Sequence, residues 1–231
     1  IDDFEDLSKN WILCQRKINL DKKVRILKTH HSLCNVNGNY FTDLENTLGV
    51  IYIVRDPRNV VSSILHHYSK NNYNEAKKFL FNENQTIGVV GIKKKDFYKE
   101  TDILTLISSW RNHYNSWKNF RRNLLLIKYE NLINNTESEF FKIADYMSKI
   151  LKIKLEKKKI LSSIVNNSFD NLREIEKKHG FKESPRDKIS GKRKIFFSLG
   201  PENKWEKLLN HDISIEIENK FNSEMKELKY I

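Results

Sequence analysis

An α/β domain built on a mainly parallel sheet is the fold class that this sequence predicts, and three observations predict it. Three short apolar runs have the β-branched or Leu-rich, nearly continuous character of strands covered on both faces: residues 24–29 (VRILKT), 49–54 (GVIYIV) and 124–128 (LLLIK). Helical patterns lie between and after them, and strands that alternate with helices go with parallel sheets. The chain has 231 residues, 39% of them hydrophobic, with no internal repeat and no linker rich in Pro, Gly or Ser. That length fills one core well and two poorly, so residues 1–231 read as a single domain.

Taken in order, the first run leads into Lys28-Thr29-His30-His31. On strand geometry Lys28 and His30 point to one side and Thr29 to the other. The second run is followed by Asp56-Pro57, a cap-type residue and then proline at the first helical position, with Val60, Val61, Ile64, Leu65 and Tyr68 on one helical face. Ile103, Ile107, Trp110, Tyr114 and Trp117 predict a second amphipathic helix. The third run leads into Tyr129-Glu130-Asn131, after which Thr136 and Glu139 stand at the spacing of a capping box. A last amphipathic pattern runs through Ile213, Ile217, Phe221, Met225 and Leu228.

The formal charge of +12 invites a nucleic-acid partner, but the composition explains most of it. The chain holds 32 Lys and 26 Asn against 7 Gly, 3 Pro and 2 Ala, the signature of A/T-rich codons, so no nucleic-acid partner is expected from the total alone. Cys14 and Cys34 form no CxxC pair, which argues against a metal site and against a disulfide framework, and a reducing, cytoplasmic setting is expected. No stretch approaches the roughly 18 apolar residues of a membrane-spanning helix, so no span is expected.

In a parallel α/β sheet ligands bind beyond the carboxyl ends of the strands, where this chain places its most reactive side chains. Arg55 ends a strand and precedes a helix N-terminus, whose unpaired N–H groups and dipole favour an anion. Ser63, about two turns beyond Asp56, returns to the same face. From spacing alone, an Arg55 paired with Asp56 is the competing arrangement. Lys28 and His30 side by side suit transfer of an anionic group, the lysine neutralising charge while the imidazole takes a proton. A hydrogen-bonded structural histidine is the alternative there, and His31 is the rival base.

Together these segments resemble the sulfotransferases that use 3′-phosphoadenosine 5′-phosphosulfate (PAPS) and release 3′-phosphoadenosine 5′-phosphate (PAP). The resemblance rests on Arg25-Ile-Leu-Lys28-Thr29-His30, on Tyr52-Ile-Val-Arg55-Asp-Pro-Arg58-Asn-Val-Val-Ser-Ser63 and on Tyr129-Glu130-Asn131-Leu132. It continues through Trp110-Arg-Asn-His113-Tyr-Asn-Ser-Trp117, Asn167-Ser168-Phe169 and Phe196-Phe197-Ser198-Leu199-Gly200 with Trp205. It implies a P-loop-NTPase-like sheet flanked by helices, PAPS as sulfuryl donor, and a hydroxyl or amine acceptor on a small molecule or glycan. It also implies roles: His30 the general base, Lys28 at the transferring group, Arg55 and Ser63 on the 3′-phosphate, Tyr129 and Phe169 framing the base, Gly200 at the nucleotide and His113 near the acceptor. No metal is implied.

Two departures accompany the resemblance. The family's Arg-Lys-Gly is Ser198-Leu199-Gly200 here, leaving Lys192, Arg193, Lys194 or Lys204 as replacement cations. Its Lys-Ser-Gly-rich phosphate loop has no counterpart before Lys28, so one β-loop-α unit, roughly 30 residues, is expected to be missing ahead of Ile1, and this chain alone to bind PAPS weakly. Residues 70–99, including Lys93, Lys94 and Lys95, are expected to set the acceptor. The rival classes are a basic module for RNA or another polyanion, with Arg55, Arg58, Arg121 and Arg122 as its footprint, and a Mg²⁺-dependent nucleotide kinase, for which no Walker loop is visible.

Overall fold

Two of the apolar runs form the strand pair from which the rest of the α/β fold is built. The structure, a computed structural model, describes residues 2–88, 103–185 and 190–231. Lys93, Lys94 and Lys95 lie outside the described residues. In chain order the elements are helices α1 (Asp2–Lys9) and α2 (Trp11–Ile18), strands β1 (Asn35–Val36), β2 (Asn39–Tyr40) and β3 (Val50–Val54), and helices α3 (Pro57–His67) and α4 (Tyr73–Phe81). Strands β4 (Thr86–Ile87) and β5 (Thr105–Leu106), helix α5 (Trp110–Lys118) and strand β6 (Leu124–Lys128) follow. Helices α6 (Tyr129–Asn134), α7 (Thr136–Leu151), α8 (Lys157–Asn166), α9 (Phe169–His179), α10 (Trp205–Leu208), α11 (His211–Lys220) and α12 (Asn222–Glu227) complete the list.

Strands β3 and β6 are neighbours in a parallel pair, as strands joined by helical crossovers must be. Val54 and Ile127 are buried on it, 2% and 1% exposed. The chain divides into two compact units, residues 1–52 with 82–125 and residues 53–81 with 126–231. The first unit is centred on aromatic rings. His31 stacks on Phe41 at 4.4 Å between centroids and meets Trp11 edge-on at 4.8 Å, while the Trp117 indole N–H donates to the His31 carbonyl at 2.9 Å. A hairpin, β1 with β2, turns through Asn37-Gly38, whose φ values of 50° and 89° are the left-handed pair that a two-residue hairpin loop requires.

The second unit packs α3, α4 and α11 around Val61, Ala76, Leu80 and Ile217, all buried. The predicted last amphipathic pattern is present, with Ile213, Ile217, Phe221, Met225 and Leu228 at 5% exposure or less, but it is two helices, α11 and α12, broken at Phe221. Helix α3 starts as predicted: the Asp56 carboxylate accepts the Arg58 N–H at 2.9 Å and Pro57 occupies the first turn.

Three expectations are corrected. Residues 24–29 are not a strand: no described strand pairs with them, and Val24, Ile26 and Leu27 are exposed. Strand propensity measures fit to a half-buried pleated surface, and without a partner ladder the run has no such surface to join. The second amphipathic helix starts at Trp110 rather than near Ile103. The amides of Ile107 and Ser108 donate to the Gln85 carbonyl at 2.9 Å instead of entering a helix, and Ser109 then caps α5 by accepting the Asn112 N–H at 3.3 Å. The capping box of Thr136 and Glu139 does not form, because the Thr136 hydroxyl donates to the Ile133 carbonyl and the Glu139 carboxylate pairs with Lys142; helix α7 forms nonetheless.

Candidate functional site

In the second unit the chain leaves β3 at Arg55 and turns at once into α3. Arg55 Nη1 donates to Ser63 Oγ at 3.2 Å, so residues eight apart in sequence meet across the first turns of the helix. The guanidinium carbon lies 4.2 Å over the Tyr129 ring, which α6 presents at the end of β6. Burial lowers the Arg55 pKa from its ordinary value, against the opposing pull of Tyr129, Glu130 and Asp56. Ser63 Oγ also accepts from Asn203 Nδ2 at 3.0 Å, and Asn203, 7% exposed, is held by the Asn59 carbonyl at 3.2 Å and by the Ser62 hydroxyl at 2.6 Å. Trp205 N–H donates to Asn59 Oδ1 at 2.8 Å. A segment 140 residues downstream is thus tied to α3 beside Arg55.

The partner of Asp56 is Arg58, not Arg55. Arg58 is buried, bonds Asp56 at 2.6 Å and Glu218 at 2.6 Å, donates to the Tyr230 carbonyl at 2.9 Å and lies 4.0 Å over the Trp205 ring. Glu130 accepts the Asp56 N–H at 2.9 Å and the Tyr230 hydroxyl at 3.0 Å, fixing the backbone on which Arg55 stands. Burial, then the Glu130 charge, pushes the Tyr230 phenol upward, so it stays a donor.

Phe169 is the first residue of α9, after the Ser168 cap. Its ring lies against Gly200: a Cβ on Gly200 would sit 2.3 Å from the ring, and the residue's φ is +51°. Both facts demand glycine there. Beside them opens a cleft of about 410 Å³ lined by Phe169, Arg173, Ser198, Leu199 and the acidic Asp170 and Glu202. Of the four replacement cations, Arg193 donates to the carbonyls of Phe181 and Lys182, Lys194 donates to Ser69 Oγ at 2.9 Å, and Lys192 and Lys204 are exposed.

Lys28, His30 and His113 belong to the first unit. Lys28 and His30 are exposed, on backbone that is not a strand, whereas His31 is 4% exposed. His31 Nδ1 reaches the Ser32 carbonyl at 3.1 Å and its Nε2 accepts the Leu106 N–H at 3.4 Å, and burial pulls its pKa down to about 4. His31 is therefore a neutral core residue, whereas the adjacent His30 is exposed. His113 has both ring nitrogens engaged, Nε2 with the His30 carbonyl at 3.3 Å and Nδ1 with the Tyr52 hydroxyl at 2.8 Å. A carbonyl only accepts, so the proton resides on Nε2 and Nδ1 accepts from Tyr52. Burial lowers the His113 pKa to about 4. Its placement is support for the His30 main chain.

The sequence reading missed Asn203, Glu176 and Tyr52. Asn203 and Tyr52 carry no local signal, since their partners lie 140 and 61 residues away. Among the described residues no three His, Cys, Asp or Glu side chains converge as a metal cluster, and no helix is long and apolar enough to cross a membrane.

No curated protein matches the chain in sequence. Among solved structures, mouse sulfotransferase SULT7A1 complexed with PAP is similar at 18% identity with a TM-score of 0.53, over 79% of this chain and 59% of that one. Retinol dehydratase in complex with androsterone and PAP is similar at 17% identity and a TM-score of 0.53, over 90% of this chain and 56% of that one. Its complex with retinol and PAP gives 18% identity and a TM-score of 0.55, over 89% of this chain and 54% of that one. The chain thus spans between 54% and 59% of the length of the proteins it resembles, and the likeness establishes the shared α/β fold. The sulfotransferase-domain family model matches residues 11–229, nearly the whole sequence, and this chain belongs to that family.

Proposed function

We propose that the protein transfers a sulfuryl group from PAPS to a hydroxyl or amine of a small-molecule or glycan acceptor. The observation that carries the reading is the Arg55–Ser63–Tyr129 cluster, a cation and a hydroxyl at a helix N-terminus in a chain of the sulfotransferase-domain family. A 3′-phosphate accepts charge-assisted hydrogen bonds from Arg55 and Ser63 there. The solved relatives named above are PAP complexes, which supports the same ligand here. Phe169 and Gly200 supply a flat aromatic face and a close backbone approach for the base.

In the transfer, the acceptor oxygen or nitrogen bonds to sulfur while the bond from sulfur to the bridging oxygen of the 5′-phosphate breaks, and PAP departs with that electron pair. His30 takes the acceptor's proton, and Lys28 offsets the charge growing on the bridging oxygen. Proton transfer to a positioned base contributes about 10²- to 10⁴-fold in rate. Positioning and charge supply the rest, as in phosphoryl transfer.

Calorimetry of PAP against AMP tests the reading. PAP is expected to bind at least about tenfold more tightly, the size of one or two charge-assisted hydrogen bonds, and Arg55→Ala to remove most of that difference. Equal affinities for PAP and AMP in the unaltered protein would overturn it.

A further inference from the structure

The segment Phe196-Phe197-Ser198-Leu199-Gly200 has no cation of its own, yet its Ser198 and Leu199 line the cleft beside Phe169. What fixes it is a carboxylate. Glu176, 9% exposed, accepts the Phe196 N–H at 2.7 Å and the Ser184 hydroxyl at 2.7 Å on one oxygen, and the Phe197 N–H at 2.9 Å on the other. Burying a carboxylate is costly unless it is hydrogen-bonded, and here three donors converge on it. Burial alone would raise its pKa, but these N–H and O–H groups outweigh burial and keep the carboxyl below its ordinary value, ionised at neutral pH.

Glu176 lies seven residues beyond Phe169 on α9, two helical turns, so both occupy one face of the helix. The five-residue segment is therefore pinned to that face at each end, by the carboxylate at Phe196 and Phe197 and by the ring of Phe169 at Gly200. Phe181 packs on both phenylalanines, 4.7 Å from Phe196 and 5.1 Å from Phe197 between centroids, and holds the carboxylate end in apolar surroundings. Ser198 and Leu199, the two residues between the pins, face the cleft.

We infer that Glu176 is a positioning residue for the nucleotide: its carboxylate holds the Phe196–Gly200 wall against Phe169 and so sets affinity for the adenosine part of the ligand. The inference rests on the PAPS reading above and adds to it a residue that touches no ligand. It separates two contributions, base-end affinity governed by Glu176 and 3′-phosphate selectivity governed by Arg55.

The experiment combines nucleotide calorimetry with amide hydrogen exchange on the full chain. Glu176→Gln is expected to speed exchange at Phe196 and Phe197 roughly tenfold or more, in the absence of nucleotide, while amides of α3 stay protected. The same variant should weaken PAP and AMP by one common factor of roughly tenfold and leave the PAP-to-AMP ratio intact. Gly200→Ala, which presses on the Phe169 ring without touching the carboxylate, should weaken both nucleotides alike with Phe196 and Phe197 still protected. It serves where Glu176→Gln does not fold. Unchanged exchange at Phe196 and Phe197, or a variant that alters the ratio rather than both affinities, overturns the inference. If the unaltered protein binds neither nucleotide, the PAPS reading falls and this role with it; if it binds PAP selectively and both variants bind as well as it does, only this role falls.

Discussion

One step along the backbone separates His30, exposed, from His31, stacked against Phe41 and edge-on to Trp11. The difference predicts opposite mutants. His31→Ala opens a cavity in an aromatic cluster and orphans the Leu106 N–H, so a loss of about 2–4 kcal/mol is expected in a denaturant titration. His30→Ala removes a solvent-facing ring and should leave the unfolding midpoint within about 0.5 kcal/mol of the unaltered protein. Equal losses from the two would show that the assignment of environments is wrong. The pairing of Arg55 with Ser63 was legible at this scale because both lie within two turns of one helix start, where spacing alone brings side chains together. The choice between Arg55 and Arg58 as partner of Asp56 was not legible. Besides Asp56, two acceptors 160 and 172 residues away, Glu218 and the Tyr230 carbonyl, converge on Arg58, and no local spacing announces such a convergence.

At the scale of the element, α3 starts just after Arg55 and carries Ser63, and it depends on its cap, Asp56. Asp56 caps the helix through the Arg58 N–H, pairs with the Arg58 guanidinium and donates its own N–H to Glu130. Asp56→Ala removes a cap and leaves a buried guanidinium one carboxylate short, so about 3–5 kcal/mol of destabilisation is expected in the same titration, well beyond a cap alone. A loss near 1 kcal/mol would mean that Glu218 suffices to hold Arg58. This helix was readable from Asp56-Pro57 and its apolar period because caps and periodicity are local. The run at 24–29 misled for the converse reason: a strand is completed by a neighbour, and a six-residue run with strand character does not carry its neighbour with it. The Asn37-Gly38 hairpin, by contrast, has a local signal that the reading passed over.

Across the whole molecule, titration should be governed by buried neutral groups rather than by the +12 total. Burial holds His31 and His113 near pKa 4 in the folded chain, whereas an unfolded histidine titrates near its ordinary value of 6.5. Above pH 6.5 both states are neutral at these positions and stability does not depend on them. As pH falls below 6.5 the unfolded chain binds protons that the folded chain does not, so stability declines toward pH 4, by about 3 kcal/mol for His31. Glu176 acts in the same direction at lower pH: its carboxyl is depressed in the fold, and its contribution is lost as pH falls through that depressed value. A melting temperature that is flat from pH 8 to about 6.5 and then falls is the expected profile, with His31→Gln reducing the slope; a flat profile to pH 5 would exclude it. A charge total cannot distinguish Arg58, buried among carboxylates, from a lysine in solvent. The sequence alone determined the α/β class, the β3–α3 junction with Arg55 and Ser63, and the family, since caps, apolar periods and short motifs act over one or two turns. Only the tertiary structure decided which histidine is buried, which arginine Asp56 holds, that Asn203 bonds Ser63 and that Glu176 holds the Phe196 and Phe197 amides. Those outcomes depend on contacts between residues far apart in the chain, whose energies appear only once folding has removed water from between them.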